Sequence, residues 1–294
     1  MRLFRHSRLD ALPTLFALAQ WPLMLAWAAH AEALPPAAHA ALILPAALLF
    51  YTNPIVITHN FLHTPFFAWR PLNVAFSVFN SGNLMLPQCL YRHHHLLHHR
   101  FNNDPIVDGT TRDPSSTFRF GRDGGHEGMV AYCALSLFRD ATGFAFAEVR
   151  RKQELSLFFA QMLMIVLTLG LWLWLSWRWT LGVALPVFYL GWFFAHMENY
   201  YEHRHATAPT VAAANSVSYL GPIYNVFMLN EGYHQAHHLR PGTHWTRRPE
   251  VQAELAGAMS EAGSFVAAWP PLLGFLEGGP AETAPESCDS AGIA

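Results

Sequence analysis

Imidazole side chains recur in this chain at the spacing of a helix turn. His59 and His63 stand at i and i+4 and therefore share one face of a helix. His95, His98 and His99 stand at i, i+3 and i+4, and His234, His237 and His238 repeat that pattern. Between them lies a fourth cluster, Asn199-Tyr200-Tyr201-Glu202-His203-Arg204-His205. The best-spaced positions are His59, His63, His95, His98, His99, His203, His234, His237 and His238. A tetrahedral metal takes about four ligands, so nine neutral nitrogens overfill one ion and suit two with four or five each. Imidazole serves iron, copper, nickel and zinc alike, and the ligand type alone does not choose among them.

Other histidine chemistries fit less well. A zinc protease of the intramembrane kind needs His-Glu-x-x-His, which does not occur. A haem needs only one or two axial ligands, not adjacent pairs. His6, His30, His39 and His126 stand alone and read as solvated or interfacial side chains. Three cysteines, Cys89, Cys133 and Cys288, have no paired spacing, so neither a disulfide framework nor an iron-sulfur site is indicated.

The elements that position these histidines are apolar. The chain is 52% hydrophobic and only 13% charged, about half the roughly 25% of soluble proteins, which points to lipid as the solvent. The runs 12–29, 37–58, 155–177 and 181–199 each approach the roughly 20 residues that cross hydrocarbon as a helix. The first two are separated by Ala33-Leu34-Pro35-Pro36 and the last two by a very short link around Arg178. The reading is an all-α integral membrane protein of four transmembrane helices in two hairpins. Arg2, Arg5 and Arg8 before the first run also suit a signal peptide, but the run is long for one and a second follows at once.

Basic residues orient the hairpins. Arg2, Arg5 and Arg8, then Arg70, Arg92 and Arg100, then Arg150, Arg151 and Lys152 fall on one side, which is read as the cytosol, with both termini there. Residues 59–154 and 200–277 then form a cytosolic helical cap on a single catalytic domain, 1–277, and the polar tail 278–294 is expected to be disordered. The stretch 72–90 carries Asn73, Asn80 and Asn83 and is read as an interfacial helix rather than a fifth span. With that topology all four histidine clusters converge on one cytosolic site. The net charge of -2 speaks against a nucleic-acid partner.

In this order the strings His59 to His63, His95 to His99 and His234 to His238 resemble the membrane fatty acid desaturase and hydroxylase superfamily, whose signature is HxxxH, HxxHH and HxxHH on the cytosolic side. The resemblance spans about 58–245, and three ordered boxes are a specific signal. Asn199-Tyr200-Tyr201-Glu202-His203 is also similar to the Asn-Tyr-x-Glu-His motif of membrane alkane hydroxylases, which implies His203 as a further ligand. The run from His234 to Trp245 reads more like bacterial desaturases and the related decarboxylases that form terminal alkenes.

The resemblance implies two non-haem irons, dioxygen as oxidant and a fatty acid or fatty acyl substrate in a bacterial-type inner membrane. Desaturation is the first expectation, oxidative decarboxylation the second and hydroxylation the third; a membrane metal or haem carrier is the non-enzymatic alternative. His95 is preferred to His94 in the second box, because it repeats the spacing of the last. Asn60, Asp104, Glu198, Glu202, Asn230 and Glu231 lie close enough in sequence to orient ligating histidines, with Asn60, Glu202 and Glu231 taken as catalytic-site residues. Phe61, Phe66, Phe67, Trp192 and Phe194 are expected along the substrate path, and Arg92, Arg100, Arg204 and Arg240 are the candidates to hold a carboxylate. The Gly121 to Gly125 run lacks dinucleotide-binding spacing, so electrons are expected from an external ferredoxin or small cytochrome with its reductase.

Overall fold

The structure, a computed structural model, describes residues 2–139 and 142–278. The expected disordered tail lies, apart from Gly278, outside the described residues. The chain begins with a strap in which Arg5 N donates to Phe66 O (2.7 Å) and Ala68 N to Leu3 O (2.9 Å). Ser7 and Asp10 then cap the first helical turn reciprocally, which satisfies backbone N–H groups that the helix cannot. From there α1 (Ala11–His30) and α2 (Pro36–Thr52) form a hairpin, with Pro36 at the position where its missing N–H costs nothing. A π-helical turn, Asn53–Thr58, carries α2 without a break into α3 (His59–His63).

The middle of the chain holds α4 (Arg70–Leu84), α5 (Gln88–Phe101), α6 (Met129–Arg139) and α7 (Thr142–Arg151). Next come α8 (Leu155–Trp179), a second π turn (Thr180–Ala184) and α9 (Leu185–Arg204). Three short helices close the fold: α10 (Pro222–Phe227), α11 (His234–Leu239) and α12 (Arg248–Glu261). Among the described residues only isolated β-bridges occur, such as Phe4 with Phe67.

Three helical runs are long and apolar enough to cross a membrane: Arg8–Ala33, Pro36–His63 and Leu155–Arg204. The last has 50 residues, about 75 Å if straight, against a hydrocarbon core of about 30 Å. It is not straight. Ser176 leaves helical geometry (φ -159°, ψ 99°). At one end of the run Leu157 and Phe158 pack on Cys89 and Leu90 of α5, and at the other the His203 ring lies 4.8 Å from that of His98, also on α5. The chain therefore reverses near Ser176. The very short link expected around Arg178 is the non-helical residue Ser176, at which two helices meet across a kink.

At that far end Ser176 Oγ donates to Glu32 Oε1 (3.1 Å), Trp27 packs edge-on to Trp179 (5.4 Å), and Trp27 Nε1 donates to His39 Nδ1 (3.0 Å). The turns of both hairpins meet there. Close approach of α2 to α9 depends on Gly191, whose added Cβ would overlap Phe50 and the Ala47 carbonyl.

At the near end the asparagines of α4 are spent on packing. Asn80 exchanges hydrogen bonds with Asn53 (2.9 and 3.1 Å) and donates to Thr58 Oγ1 (2.9 Å); Asn53 donates to Gln20 (2.8 Å), and Asn83 to Ala17 O (2.8 Å). This buried amide network joins α1, the first π turn and α4, and α4 is not among the runs apolar enough to span. Asp10, fully buried, accepts from His244 Nε2 (2.8 Å) and Trp245 Nε1 (3.0 Å), tying the start of α1 to the segment after α11.

Candidate metal centre

Four elements deliver the nine histidines. The π turn leads directly into α3, which presents His59 and His63 one turn apart. α5 carries His95, His98 and His99 and stops just beyond them at Asn102 and Asn103, both with positive φ (42° and 56°), a conformation asparagine tolerates. α9 brings His203 in its last turn. α11, only six residues long, is too short to stand alone. Gln235 holds it in place by accepting from Ser216 N (2.9 Å) and donating to Ala212 O (2.9 Å).

The histidines divide into two groups. His59, His63, His95, His99 and His237 form one, and His98, His203, His234 and His238 the other; within each, the ligand atoms all lie within 4.8 Å of one another. His94 is in neither. In the first group Nε2 atoms meet in series: His63 to His95 at 2.9 Å, His95 to His99 at 2.9 Å, His99 to His237 at 3.1 Å and His237 to His59 at 2.7 Å. In the second, His203 and His234 Nε2 are 3.3 Å apart.

A neutral imidazole has one N–H and one bare nitrogen. His59 Nδ1 faces the Ile55 carbonyl (3.2 Å) and Glu231 Oε2 (3.1 Å), both acceptors, so its proton sits there and its Nε2 is bare. Bare nitrogens about 3 Å apart repel unless a cation lies among them, and adjacent ligands on bonds of about 2.1 Å at right angles are separated by about 3 Å. The donor set thus fits two metal ions held by nitrogen. Burial, followed by the neighbouring histidines and, for His237, first by Arg248, holds His95, His99, His234, His237 and His238 well below the ordinary imidazole range. They stay neutral, the form that ligates.

Carboxylates stand behind three of the rings. Glu231 faces His59, Asp113 Oδ2 lies 2.8 Å from His98 Nδ1, and Glu202 Oε1 lies 3.2 Å from His234 Nδ1. An acceptor bonded to the ring N–H fixes the tautomer and aim of a ligating ring, as Asp113 does for His98 and Glu231 for His59, whereas Glu202 approaches His234 Nδ1 without a hydrogen bond. Glu231 is itself held by Asn60 Nδ2 (2.7 Å) and by Arg248 (2.8 Å), which also donates to Asn60 Oδ1 (2.8 Å). Burial alone would raise the Glu231 carboxyl, but Arg248 and His59 hold it below the usual range. Burial likewise opposes ionisation of Asp113, yet His98 and the N–H groups of Asn103 and Ser115 bring it to about 2.

The chain matches the family model for fatty acid desaturase over residues 33–269. It belongs to the fatty acid desaturase family. No curated protein and no solved structure matches it. The family match takes in all nine histidines and all three carboxylates.

Within this desaturase-family site the six polar residues named from sequence have different positions. Glu202 and Glu231 reach histidines, and Asn60 reaches Glu231. Asp104 is one step removed: it accepts from Asp113 N (2.9 Å) and so shapes the loop that carries Asp113. Asn230 donates to Trp245 O (3.1 Å), and Glu198 lies between the hydroxyls of Tyr51 and Tyr224. Asp113 and Arg248 were not found from sequence, since each meets its partner across a loop or between distant elements with no periodic signal.

The lone histidines are not merely solvated. His39 takes the Trp27 bond and His126 bonds Thr117 Oγ1 (2.6 Å) while lying 4.0 Å from the Phe118 ring; His6, which stacks on His244 (5.2 Å), and His30 are exposed. Beside the two histidine groups of this family member runs a cavity of about 80 Å³, with His59, His95, His98 and His234 in its wall and Leu86, Trp192 and Ala195 along its apolar side. Of the aromatics expected along a substrate path, Trp192 lines this cavity. Phe61, Phe66 and Phe67 instead pack with Phe76 and Ile57 in a separate cluster, and Phe194 packs among core clusters beside the cavity.

Proposed function

We propose that this desaturase-family chain is a dioxygen-dependent, non-haem di-iron membrane enzyme that oxidises an unactivated C–H bond of a fatty acyl chain, and that it is a desaturase. The observation that carries the reading is the pair of adjacent imidazole groups, five and four strong, with carboxylates behind three of the rings. The first iron would be held by His59, His63, His95, His99 and His237, and the second by His98, His203, His234 and His238. Two bound irons supply the oxidising power that an unactivated C–H bond demands. Glu231 and Asp113 orient ligating rings, and Glu202 lies behind a third; Asn60 and Arg248 hold Glu231. Electrons come from an external ferredoxin or small cytochrome with its reductase.

The domain is residues 1–277, with four crossings in two hairpins. The reversal at Ser176 divides Leu155–Arg204 into two lengths that each suit a bilayer. The N-terminal strap and all the histidine groups share one end of the bundle, and basic residues put that end in the cytosol of a bacterial-type inner membrane. The substrate chain lies along Leu86, Trp192 and Ala195.

Desaturation is favoured over decarboxylation because no arginine is among the residues that line the metal-side cavity. Arg92 pairs with Glu154 and Arg240 with Glu254, so neither is poised to grip a free carboxylate there. The test has two parts. Purified protein is analysed for metal and visible absorption, with about two irons per chain and no haem band expected; zinc alone or a haem band overturns the di-iron reading. Membranes supplied with acyl substrate, reductant and dioxygen should yield an unsaturated product of unchanged carbon number. A terminal alkene one carbon shorter, or an alcohol, overturns desaturation.

A further inference from the structure

The head of the first helix reaches the histidine groups through the far end of the chain. Asp10, fully buried, accepts through a single oxygen, Oδ1, from His244 Nε2 (2.8 Å) and from Trp245 Nε1 (3.0 Å). His244 Nδ1 accepts from Thr246 N (3.4 Å), which leaves the ring proton on Nε2 for Asp10. Trp245, 5% exposed, opens the 3₁₀ turn Trp245–Arg247, and that turn runs straight into α12 and Arg248.

Trp245 passes the hold on, because its backbone carbonyl accepts from Asn230 Nδ2 (3.1 Å). Leu229 and Asn230 both have positive φ (48° and 65°). Asparagine tolerates that region, but leucine rarely enters it. A turn of this kind persists only while its surroundings hold it. Asn230 N donates to Asn225 O (2.8 Å), and Arg248 Nη1 reaches the Asn230 carbonyl at 3.5 Å. The next residue is Glu231, whose Oε2 lies 3.1 Å from His59 Nδ1. Asp10 and Glu231 are thus joined by two hydrogen bonds through Trp245 and one peptide unit.

We propose that Asp10 is a positioning residue for the first histidine group. By fixing Trp245 it fixes the left-handed turn that presents Glu231 to His59, and it sets the start of α12, from which Arg248 grips both Glu231 and Asn60. A carboxylate behind a ligating ring sets the aim of that ring, so an acceptor at the head of α1 tunes how well the group holds metal. The inference rests on the metal reading of the histidines given above. Asp10 also shares a reciprocal cap with Ser7. Ser7→Ala removes the hydroxyl half of that cap and leaves the bond to Trp245 intact, which separates the two roles.

Hydrogen–deuterium exchange of the full chain in detergent, without metal, reads the backbone of residues 229–233. Asp10→Ala should exchange there about tenfold faster than wild type. Asp10→Asn should restore protection, because its carbonyl oxygen still accepts from both rings, and Ser7→Ala should match wild type. Trp245→Phe keeps a buried ring and loses only Nε1, so it reads the same link even where Asp10→Ala does not fold. Cobalt(II) titrated into the same proteins should bind about tenfold more weakly at one of two sites in Asp10→Ala, again with rescue by Asn. Unchanged exchange in both Asp10→Ala and Trp245→Phe, exchange in Ser7→Ala as fast as in Asp10→Ala, or no rescue by Asn overturns the proposal. Faster exchange with unchanged cobalt affinity makes Asp10 purely structural and overturns it too. Wild type that binds no cobalt overturns the metal reading instead, and exchange still decides whether Asp10 holds the turn.

Discussion

Arg248 and Glu231 form a 2.8 Å ion pair with both side chains only 1% exposed. Removing one member of such a pair strands a charge in a dry interior, which costs about 3–5 kcal/mol. Arg248→Met should therefore lower the unfolding temperature in detergent sharply and loosen metal held through His59. Glu231→Gln combined with Arg248→Met should recover much of the stability, though not the metal affinity, because the ring loses its ionised acceptor. Equal unfolding temperatures for wild type and Arg248→Met would remove the pair from the account.

Asp113 is expected to matter to the metal as much as residues near the boxes do. Asp113→Asn should reduce metal affinity or turnover by about 10–100-fold, the usual effect of losing an acceptor behind a ligating histidine. His95→Gln should lose metal, as should Ala at His63, His98, His203 or His237, whereas His94→Gln should retain it. Metal content after dialysis reads all of these, and loss from His94→Gln would shift the second box by one residue.

Acid should weaken the fold partly through a histidine outside the metal groups. Burial, and then Arg204 and His205, bring His126 down to about 4. Below about 6.5 the unfolded chain takes up a proton at this position that the folded chain refuses until about pH 4, so stability falls as pH falls through that window. His126→Gln removes the effect. The unfolding temperature of wild type should drop more between pH 7.5 and 5 than that of the variant; parallel curves would refute the assignment.

Filling the narrow cavity should separate chemistry from metal binding. Ala195→Phe puts a ring into about 80 Å³ of space beside the histidines and replaces no ligand. Metal content should stay at the wild-type level while turnover of long acyl chains falls at least about tenfold, as expected when a reacting chain is displaced by an ångström or more. Full turnover would place the substrate elsewhere.

Local periodicity explains what the sequence disclosed. His59 with His63, and His98 with His95, are neighbours through one helix turn, so spacing alone announces a common face, and apolar length announces the long runs. Asp113 with His98 and Arg248 with Glu231 are neighbours only after the loop and α12 have folded back, and nothing periodic marks them. The same holds for His39 and His126, whose partners Trp27 and Thr117 give no signal, and for the turn at Ser176, where no glycine or proline breaks the run. The asparagines of α4 were legible as polarity but not as the network with Gln20 and Asn53 that uses it.

Both histidine-bearing runs pass through a π turn upstream of their histidines, Asn53–Thr58 before His59 and Thr180–Ala184 before α9. A π turn is in effect one residue more than an α-helix of the same pitch would hold, and one residue is about 100° of rotation. The angular phase of the packing stripe on α2 is thus decoupled from the phase of His59 and His63, and that of the kinked segment from Glu202 and His203. Deleting a single residue within 53–58 would leave every spacing within and between the histidine boxes intact while swinging the first box about a quarter-turn off its common axis with the others.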